Sequence, residues 1–329
     1  MLTRMIKVCN GLYGHHKSVA QGRKLVPCSD MAGVIVAVGP SSSAFKEGDR
    51  VLSIFNQTHQ KGQIQEKDMA SGLGLPNPGV LTEYRVFKDY GLVSCPDYLT
   101  DEQACTLPIA AVTAWTSINW MQPLGQHLTG KDVSIVCQGT GGVSIAGLQI
   151  AKASGTTGMQ YLIAGVDKSL KHVAAIVTSS SDEKLQKAKE LGADHLINYK
   201  TTPDWENEVL RVTDGKGASI ILEAGGAQTL TKSFDCVAFG GMIAAIGYLS
   251  GKQEPGKNAM NVNVLALKRN VTIKGILNGP KERFEELLKL YADKKVMPVV
   301  DKVFPFAEAK QALEYLESGG HFGKVVVKL

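Results

Sequence analysis

The sequence predicts an α/β fold in which a doubly wound parallel sheet is joined to a smaller β-rich unit. Strand and helix patterns alternate from about residue 131 to residue 277, whereas the preceding part carries short β-branched runs separated by Gly, Pro and Ser. A glycine-rich turn also follows the first strand of the alternating part. Alternation of this kind favours parallel strands covered by helices on both faces, and clustered short strands favour a small β structure.

The individual elements follow from hydrophobic periodicity and β-branched runs. In the alternating part, the predicted strands are residues 133–137, 174–178, 195–198, 219–223, 242–246 and 271–276. The predicted helices between them are residues 182–191, 205–212 and 229–237. The predicted strands of the β-rich unit are residues 33–39, 49–55 and 81–87. Two amphipathic helices, 283–294 and 307–317, precede a last strand, 324–328, which we expect to return to the β-rich unit.

Length and composition limit the classes of protein. A chain of 329 residues with 44% hydrophobic and 20% charged residues suits two globular domains. The net charge of +5 comes from scattered lysines, so no basic stripe predicts nucleic-acid binding. No apolar run approaches the roughly 20 residues that span a membrane. Six dispersed cysteines without a C-x-x-C pair favour a reducing, cytoplasmic location.

The glycine-rich turn is the feature most indicative of function. It lies between a β-branched strand and a helical pattern of small residues, where glycines let a backbone approach a pyrophosphate and helix N-terminal amides bind it. Ser144 replaces the third glycine of the Gly-x-Gly-x-x-Gly pattern and is small enough to keep helix and strand close. The residues predicted to hold a pyrophosphate are Gly139, Thr140, Gly141, Gly142 and Val143.

Seven segments, in order along nearly the whole chain, resemble the medium-chain dehydrogenase/reductase superfamily. They are AGVIVAVG (32–39), FKEGDRV (45–51), GVLTEY (79–84), AVTAW (111–115), GTGGVS (139–144), ELGADHLINY (190–199) and HFGKVVV (321–327). The chain is most similar to the zinc-type alcohol dehydrogenase-like group, which overlaps the quinone reductases. The resemblance implies a GroES-like catalytic domain at residues 1–110 and 279–329 and a Rossmann NAD(P)-binding domain at residues 111–278. It also implies a homodimer that acts on a small-molecule substrate.

The chain departs from the family pattern at two places in its length. Family members carry further residues ahead of the position of Val8, so we expect the GroES-like domain to be incomplete at its N-terminus. Residues 156–173 have no counterpart, and two segments compete for the second Rossmann strand: 160–166, ending before Asp167, and 174–178, ending before Ser179. Because βα turns are short, we predict the strand at 174–178.

The residue that ends the second strand bears on the choice of cofactor. An acidic residue there favours NAD, whereas Ser with a nearby Lys accommodates the 2′-phosphate of NADP. We therefore predict NADP, with NAD as the alternative, and place Ser179, Ser180 and Lys184 around the 2′-phosphate. The three serines 179–181 also suit a helix N-cap, and the two roles are compatible.

Other contacts to the cofactor are implied by the resemblance alone. The residues implied at the nicotinamide are Thr113, Ala224, Gly225, Gly247 and Tyr248, with Leu277, Asn278, Phe322, Gly323 and Lys324 closing the cofactor cleft. Tyr199 has two interpretations, stacking near the adenine or core packing. Glu223 ends an apolar strand, where its carboxylate either orients the cofactor or is satisfied structurally.

The metal ligands of the zinc-dependent relatives are missing from the sequence. The resemblance implies a zinc-binding His before the Ala-Gly turn, but Ser29 and Asp30 stand there, and residues 56–78 contain no cysteine. We therefore expect no zinc and a zinc-independent, NADPH-dependent oxidoreductase that transfers hydride to an enone, quinone or carbonyl. The alternatives are an NAD(P)-dependent alcohol dehydrogenase and a cofactor-binding, inactive remnant. No catalytic residue is identified.

Overall fold

The computed structural model describes residues 25–130, 132–155, 173–252 and 261–329. Its residues fall into two compact units, one running to Trp115 together with Asn278–Leu329 and the other comprising Thr116–Leu277. The domain limits at residues 110/111 and 278/279 stay a prediction, and this division of the chain is given separately from them. The expectation about the start of the chain lies outside the described residues, and so does the one about the extra segment 156–173, of which only Val173 is described.

The strands of the described residues are numbered along the chain. They are β1 (Ala32–Val34), β2 (Arg50–Ser53), β3 (Leu92–Ser94), β4 (Ser134–Gln138), β5 (Ala174–Ser179), β6 (His195–Asn198), β7 (Ala218–Glu223), β8 (Val237–Ala245), β9 (Thr272–Gly275), β10 (Val300–Pro305) and β11 (Lys324–Lys328).

The α-helices of the described residues are numbered in the same way. They are α1 (Glu66–Met69), α2 (Asp101–Ala104), α3 (Val112–Asn119), α4 (Gly142–Ser154), α5 (Asp182–Glu190), α6 (Trp205–Val212), α7 (Leu230–Cys236), α8 (Val262–Lys268), α9 (Lys281–Lys294) and α10 (Ala309–Glu317). A π-helical turn, Leu107–Ala111, leads directly into α3. No helix in the described ranges is long and apolar enough to cross a bilayer.

The second unit is built on a six-stranded parallel sheet with the order β6-β5-β4-β7-β8-β9. Its central strand β4 is buried along its whole length, as expected of a parallel strand covered on both faces. Apolar side chains such as Val136, Ile176, Ile221 and Ile243 pack with Trp205 of α6 in one core. The predicted doubly wound Rossmann sheet is confirmed, including β5 at Ala174–Ser179 as its second strand.

The strand order fixes where a ligand can bind. From β4 the chain first builds outward through β5 and β6, then returns to the other side of β4 with β7. All these strands run in the same direction, so their carboxyl ends lie at one edge of the sheet. Ligands of doubly wound sheets bind at such a reversal of order, outside the carboxyl ends.

The first unit contains a three-stranded antiparallel sheet, β1-β2-β3, and a parallel pair, β10-β11. Phe55, Leu73, Val80 and Ile109 form a buried cluster in this unit. The buried side chains of α9 include Phe284, Leu287, Leu288 and Tyr291, spaced on one helical face, which explains why this amphipathic helix was predictable. The GroES-like β unit predicted for this part is confirmed, and with it the α/β fold class.

The prediction of a strand at residues 81–87 is wrong. The Arg85 guanidinium donates hydrogen bonds to the carbonyl oxygens of Pro78 (2.6 Å) and Gly79 (2.5 Å), so the segment bonds to the preceding turn instead of a β-ladder. Tyr84 and Val86 are 73% and 94% exposed. The third strand of the sheet is β3, which the sequence pattern did not indicate.

The last strand is confirmed at Lys324–Lys328, and it lies in the first unit as expected. Its partner differs from the expectation, because β11 pairs in parallel with β10 and not with the three-stranded sheet. The alternating segment Val300–Pro305 ends in a proline, which obscured its strand character.

Candidate functional site

The glycine-rich turn, residues 139–143, lies at the carboxyl end of β4. Gly139 has a φ of +79°, a left-handed conformation that glycine adopts without strain. A Cβ atom on Gly139 or Gly141 would meet no described atom within 4 Å, so the turn is open on that side. Gly141 is the N-cap of α4, and no described side chain caps that helix. Since the first amides of an α-helix have no partner within the helix, this end can bind an anion.

Two side-chain hydrogen bonds fix the turn to the sheet. The Ser144 hydroxyl donates to the carbonyl oxygen of Gln138 at 2.6 Å, which ties α4 back to the end of β4. The Gly139 amide donates to the Thr178 hydroxyl at 3.3 Å, which ties the turn to β5. Ser144 is buried, so it fits the third glycine position and adds a bond there. Thr178 was missed, although it ends the predicted second strand.

The predicted 2′-phosphate residues begin with Ser179, the last residue of β5. They lie beside the glycine-rich turn, because β4 and β5 pair at Gln138 and Thr178. The buried Ser179 hydroxyl accepts from the Ser181 amide at 3.3 Å. The Ser181 hydroxyl accepts from the Lys184 amide at 3.3 Å and so caps α5, as the N-cap interpretation predicts. Ser180 is half-buried. The Lys184 backbone is thus bonded to Ser181, and the role of its ammonium at a 2′-phosphate stays a prediction.

Tyr199 follows β6, and its amide donates to the Ser179 carbonyl oxygen at 3.1 Å. The side chain is 42% exposed, so it does not serve as a core residue. Stacking near an adenine stays a prediction for this ring.

The residues predicted at the nicotinamide after β7 and β8 lie in turns that are linked by backbone hydrogen bonds. The Ala224 and Gly225 amides donate to the side-chain oxygen of Gln138 at 3.1 and 3.2 Å. Their carbonyl oxygens accept from the Leu249 amide (3.1 Å) and the Ser250 amide (2.7 Å). The Gly247 amide bonds weakly to the Glu223 carbonyl oxygen at 3.3 Å. These backbone groups therefore hold the two turns together.

The carboxylate of Glu223 is buried at the end of β7. It accepts hydrogen bonds from the Gln138 side-chain amide (2.7 Å), the Gly226 backbone amide (2.9 Å) and the hydroxyls of Thr229 and Ser233. Its polar atoms are therefore satisfied, as one of its two interpretations requires. Sequence reasoning missed Ser233, 10 positions from Glu223, and Gln138, 85 positions away.

In the first unit, Thr113 and Asn278 are buried neighbours. The Thr113 hydroxyl donates to the Asn278 side-chain oxygen at 3.3 Å, and the Asn278 amide donates to the Pro108 carbonyl oxygen at 3.3 Å. Two of the predicted residues, separated by 165 positions, therefore meet. Leu277 belongs to the second unit and is half-exposed.

The C-terminal residues predicted near the cofactor also lie in the first unit. Phe322 is buried. Gly323 has a φ of +78°, and a Cβ there would approach the Val299 carbonyl oxygen to 2.8 Å. The Lys324 ammonium lies 3.3 Å from the Asp30 carboxylate, with only 13% and 15% of the two side chains exposed.

The position implied for a zinc ligand is occupied by this ion pair. The Ser29 hydroxyl donates to the second carboxylate oxygen of Asp30 at 3.1 Å, so both oxygens of that carboxylate have protein partners. Across the described part of the chain, no group of three or more His, Cys, Asp or Glu side chains is arranged to hold a metal ion.

A doubly wound parallel sheet with an open glycine-rich turn, joined to a GroES-like unit, defines an NAD(P)-binding oxidoreductase. Residues 5–97 match the family described as "Alcohol dehydrogenase GroES-like domain" and residues 191–327 the family described as "Zinc-binding dehydrogenase".

Known proteins support the same class. A zinc-type alcohol dehydrogenase-like protein of Schizosaccharomyces pombe is 38% identical over 93% of this chain and 82% of its own length. A chloroplast envelope quinone oxidoreductase homolog of Arabidopsis thaliana is 25% identical over 92% of this chain and 79% of its own. A crystal structure from Sinorhizobium meliloti 1021, assigned as an alcohol dehydrogenase, superposes with a TM-score of 0.81 at 35% identity, covering 98% of this chain and 87% of that chain.

The chain belongs to the medium-chain dehydrogenase/reductase superfamily, as its seven segments indicated. It is an oxidoreductase of that type.

The thiols of Cys137, beside the site, and of Cys236, at the far end of α7, should be unreactive in the folded protein. Burial raises the pKa of Cys137, which precedes Gln138 in β4, to about 12, and raises that of Cys236 as well. At about pH 8.5 an exposed thiol is half ionised, whereas these stay protonated. Iodoacetamide at this pH should therefore leave both unlabelled until urea is added, as mass spectrometry of peptides would show. Labelling of Cys137 in native protein as fast as in urea would contradict this.

The same shifts set the sign of a pH effect on stability. Because the folded-state pKa values exceed the unfolded value, the unfolded state loses its thiol protons first. The free energy of unfolding should thus fall as pH rises above about 8.5, the ordinary thiol pKa.

Proposed function

We propose that this chain is a zinc-independent, NADPH-dependent oxidoreductase that transfers hydride to a small enone, quinone or carbonyl compound. The observation that carries the proposal is the open glycine-rich turn at the end of β4 beside a strand, β5, that ends in Ser179 instead of an acid. The chain shares the general oxidoreductase class of its relatives. What we propose beyond that class is the preference for NADPH and the kind of substrate.

The turn suits a dinucleotide pyrophosphate. The open space beside Gly139 and Gly141 lets a ligand approach the backbone, and the thirteen residues of α4 orient the helix dipole toward it. A larger side chain at either position would fill this space.

The segment after β5 suits a 2′-phosphate. Ser179 and Ser180 offer hydroxyls and Lys184 an ammonium, and an acid that would bind ribose hydroxyls is missing from the strand end. The nearby carboxylate of Asp182 accepts from the Asn198 side chain at 2.7 Å, so it is engaged elsewhere. These observations support NADP over NAD.

The Asp30–Lys324 ion pair supports zinc independence. An ammonium 3.3 Å from the carboxylate opposes a second cation at that position. The bound reduced nicotinamide supplies a hydride. A substrate whose carbonyl is conjugated with the accepting carbon delocalises the resulting charge, so it depends less on a Lewis acid than an alcohol does. The protein's part is to hold the ligands, with Thr113 fixed by Asn278 among the residues proposed to line the site.

Two other functions remain alternatives. An NAD(P)-dependent alcohol dehydrogenase is favoured by the names of the S. pombe and S. meliloti relatives, whereas the A. thaliana relative is named for quinones. A cofactor-binding but inactive protein is the alternative of another class.

We also propose that the chain forms a homodimer through β9. This strand is the last of the sheet, and Ile273 within it is 39% exposed. Three exposed apolar residues of the same unit lie close to this strand: Val264, Leu267 and Phe239. Val264 and Leu267 precede β9 in the chain, and the segment of Phe239 is bonded there through the Gly240 amide and the Arg269 carbonyl oxygen. A second copy of the same edge would cover backbone groups and apolar surface together.

A reducing compartment such as the cytoplasm is proposed from the thiols. Cys95, Cys105, Cys137 and Cys236 form no disulfide, and Cys95, Cys137 and Cys236 are buried. Recovery of the native protein from a secreted fraction would contradict this location.

The cofactor proposal predicts a selective effect at Lys184. Lys184→Ala should weaken NADPH binding about tenfold, because a charge-assisted contact to the 2′-phosphate is lost, and leave NADH binding unchanged. Fluorescence titration of both cofactors measures this. Lys189→Ala, on the last turn of α5, is the matched control. Equal losses for NADPH and NADH, or none, would contradict a 2′-phosphate site here.

The substrate proposal predicts that enones and quinones are reduced with NADPH faster than simple alcohols are oxidised with NADP, and that a zinc chelator has no effect. Nicotinamide absorbance follows both reactions. Alcohol oxidation that is faster and abolished by the chelator would establish the dehydrogenase alternative. Cofactor binding without any turnover would favour the inactive protein.

The dimer proposal predicts that a substitution in the edge strand β9 changes the molecular mass of the protein in solution. Ile273→Lys should convert dimers to monomers, because it places a charge against its own copy across the two-fold axis. Light scattering after size exclusion measures the mass. Val86→Lys, at an equally apolar and more exposed site of the other unit, should leave the dimer intact. A wild-type monomer at micromolar concentration would refute the proposal.

A further inference from the structure

A buried polar cluster joins the two turns that the proposed function assigns to the cofactor. Its members are Gln138 at the end of β4, Glu223 at the end of β7, and Thr229 and Ser233 at the start of and within α7. We call these four residues the carboxylate bridge. Gln138 directly precedes the glycine-rich turn, and Glu223 directly precedes Ala224. The bridge therefore lies at the carboxyl edge of the sheet, between neighbouring parallel strands.

The backbone amides around the bridge fix the orientation of the Gln138 side chain. The oxygen of the Gln138 side chain accepts from the Ala224 and Gly225 amides, which can only donate. Its nitrogen must then face Glu223, 2.7 Å away. The Gly226 amide, 2.9 Å from the other oxygen of Glu223, is also a donor only. Glu223 thus serves as an acceptor on both oxygens.

The bridge is more than strand pairing requires. β4 and β7 already pair through Ile135–Ile220, Val136–Ile221 and Cys137–Leu222. At the opposite end of the two strands, the Ser134 amide donates to the Ser219 hydroxyl at 3.2 Å. Burying a carboxylate that meets only neutral donors among the described residues costs folding free energy, which an apolar side chain at that position would not cost. Its cost suggests a role at the ligand-binding edge.

The connections of Gln138 define that role. Its backbone carbonyl oxygen holds Ser144 of α4, and its side chain holds both the Ala224–Gly225 backbone and Glu223. One residue therefore sets the pyrophosphate turn and the turn after β7 relative to each other. Preorganisation of this kind determines how tightly a ligand that contacts both turns is held.

We infer that Gln138 and Glu223 are positioning residues for the dinucleotide, acting through the glycine-rich turn and the turn after β7. The inference rests on the proposed function, in which the glycine-rich turn holds the pyrophosphate. It adds that the complementary amide–carboxylate pair, and not just the glycines, sets cofactor affinity.

Exchange of the two groups tests the inference. Glu223→Gln places a donor nitrogen against either the Gln138 side-chain nitrogen or the Gly226 amide, and Gln138→Glu places two carboxylates face to face. Each single variant should raise the dissociation constants of both NADPH and NADH by about tenfold or more, as expected for unpaired buried polar groups. The double variant Gln138→Glu/Glu223→Gln restores one donor facing one acceptor, and it should recover most of the affinity. Fluorescence titration is done well below each variant's melting temperature, which is measured in parallel.

Ser219→Ala is the matched control, because it breaks the link at the far end of the same two strands. It should lower the melting temperature without changing either dissociation constant. If the single variants do not fold, Ser233→Ala, which removes one donor to Glu223 and one acceptor of the Gln138 side chain, provides the test. It should raise both dissociation constants, whereas Ser219→Ala should raise neither.

The outcomes separate the inference from the proposed function. Wild-type protein that binds neither dinucleotide overturns both. Wild-type binding with single variants that lose stability but keep their affinity makes the bridge merely structural and overturns the inference alone. A double variant no better than the singles also overturns it.

Discussion

Parallel hydrogen bonding of β4 to β5 on one side and to β7 on the other is the constraint on which the candidate site depends. It brings Gly139, Ser179 and Ala224, which come from three distant parts of the chain, to one edge of the sheet. In an antiparallel arrangement, alternate strand ends would face opposite edges and these residues would be separated. The chemistry at the edge is therefore a consequence of strand direction and of the order in which the strands join.

The sequence predicted best the elements with a regular hydrophobic pattern, which are the parallel strands and the amphipathic helices. Buried parallel strands are nearly continuous β-branched runs, and β5 and β6 begin where expected. β8 begins at Val237, whereas the prediction began at residue 242. The first part of the strand was missed because it contains the exposed Phe239 and two glycines, which weaken the strand pattern. Residues 81–87 alternate like a strand, but hydrophobic periodicity does not reveal the hydrogen bonds from the Arg85 side chain to the carbonyl oxygens of Pro78 and Gly79.

The site was predictable to the extent that it is local. The glycine-rich turn and the α5 N-cap are contained in a few consecutive residues, so their residue types suffice to indicate them. Gln138 and Glu223 are 85 positions apart, and Asp30 and Lys324 are 294 apart. Glutamine and glutamate pair in this way only because two strands happen to be neighbours, and no pattern within either segment indicates it. Long-range polar pairs of this kind require the tertiary structure.

The direction in which α3 presents its side chains depends on the number of residues in the π-helical turn Leu107–Ala111. The Val112 amide reaches back to the Leu107 carbonyl oxygen, five residues earlier, so this turn holds one residue more than an α-helical turn. Loss of one residue here would rotate the following helix by about 100° relative to the preceding chain, since an α-helix has 3.6 residues per turn. Thr113 would then swing away from Asn278, although no side chain of the pair had been altered. The number of residues in this turn therefore matters more than their identity. Insertions or deletions should be rarer in this segment than substitutions.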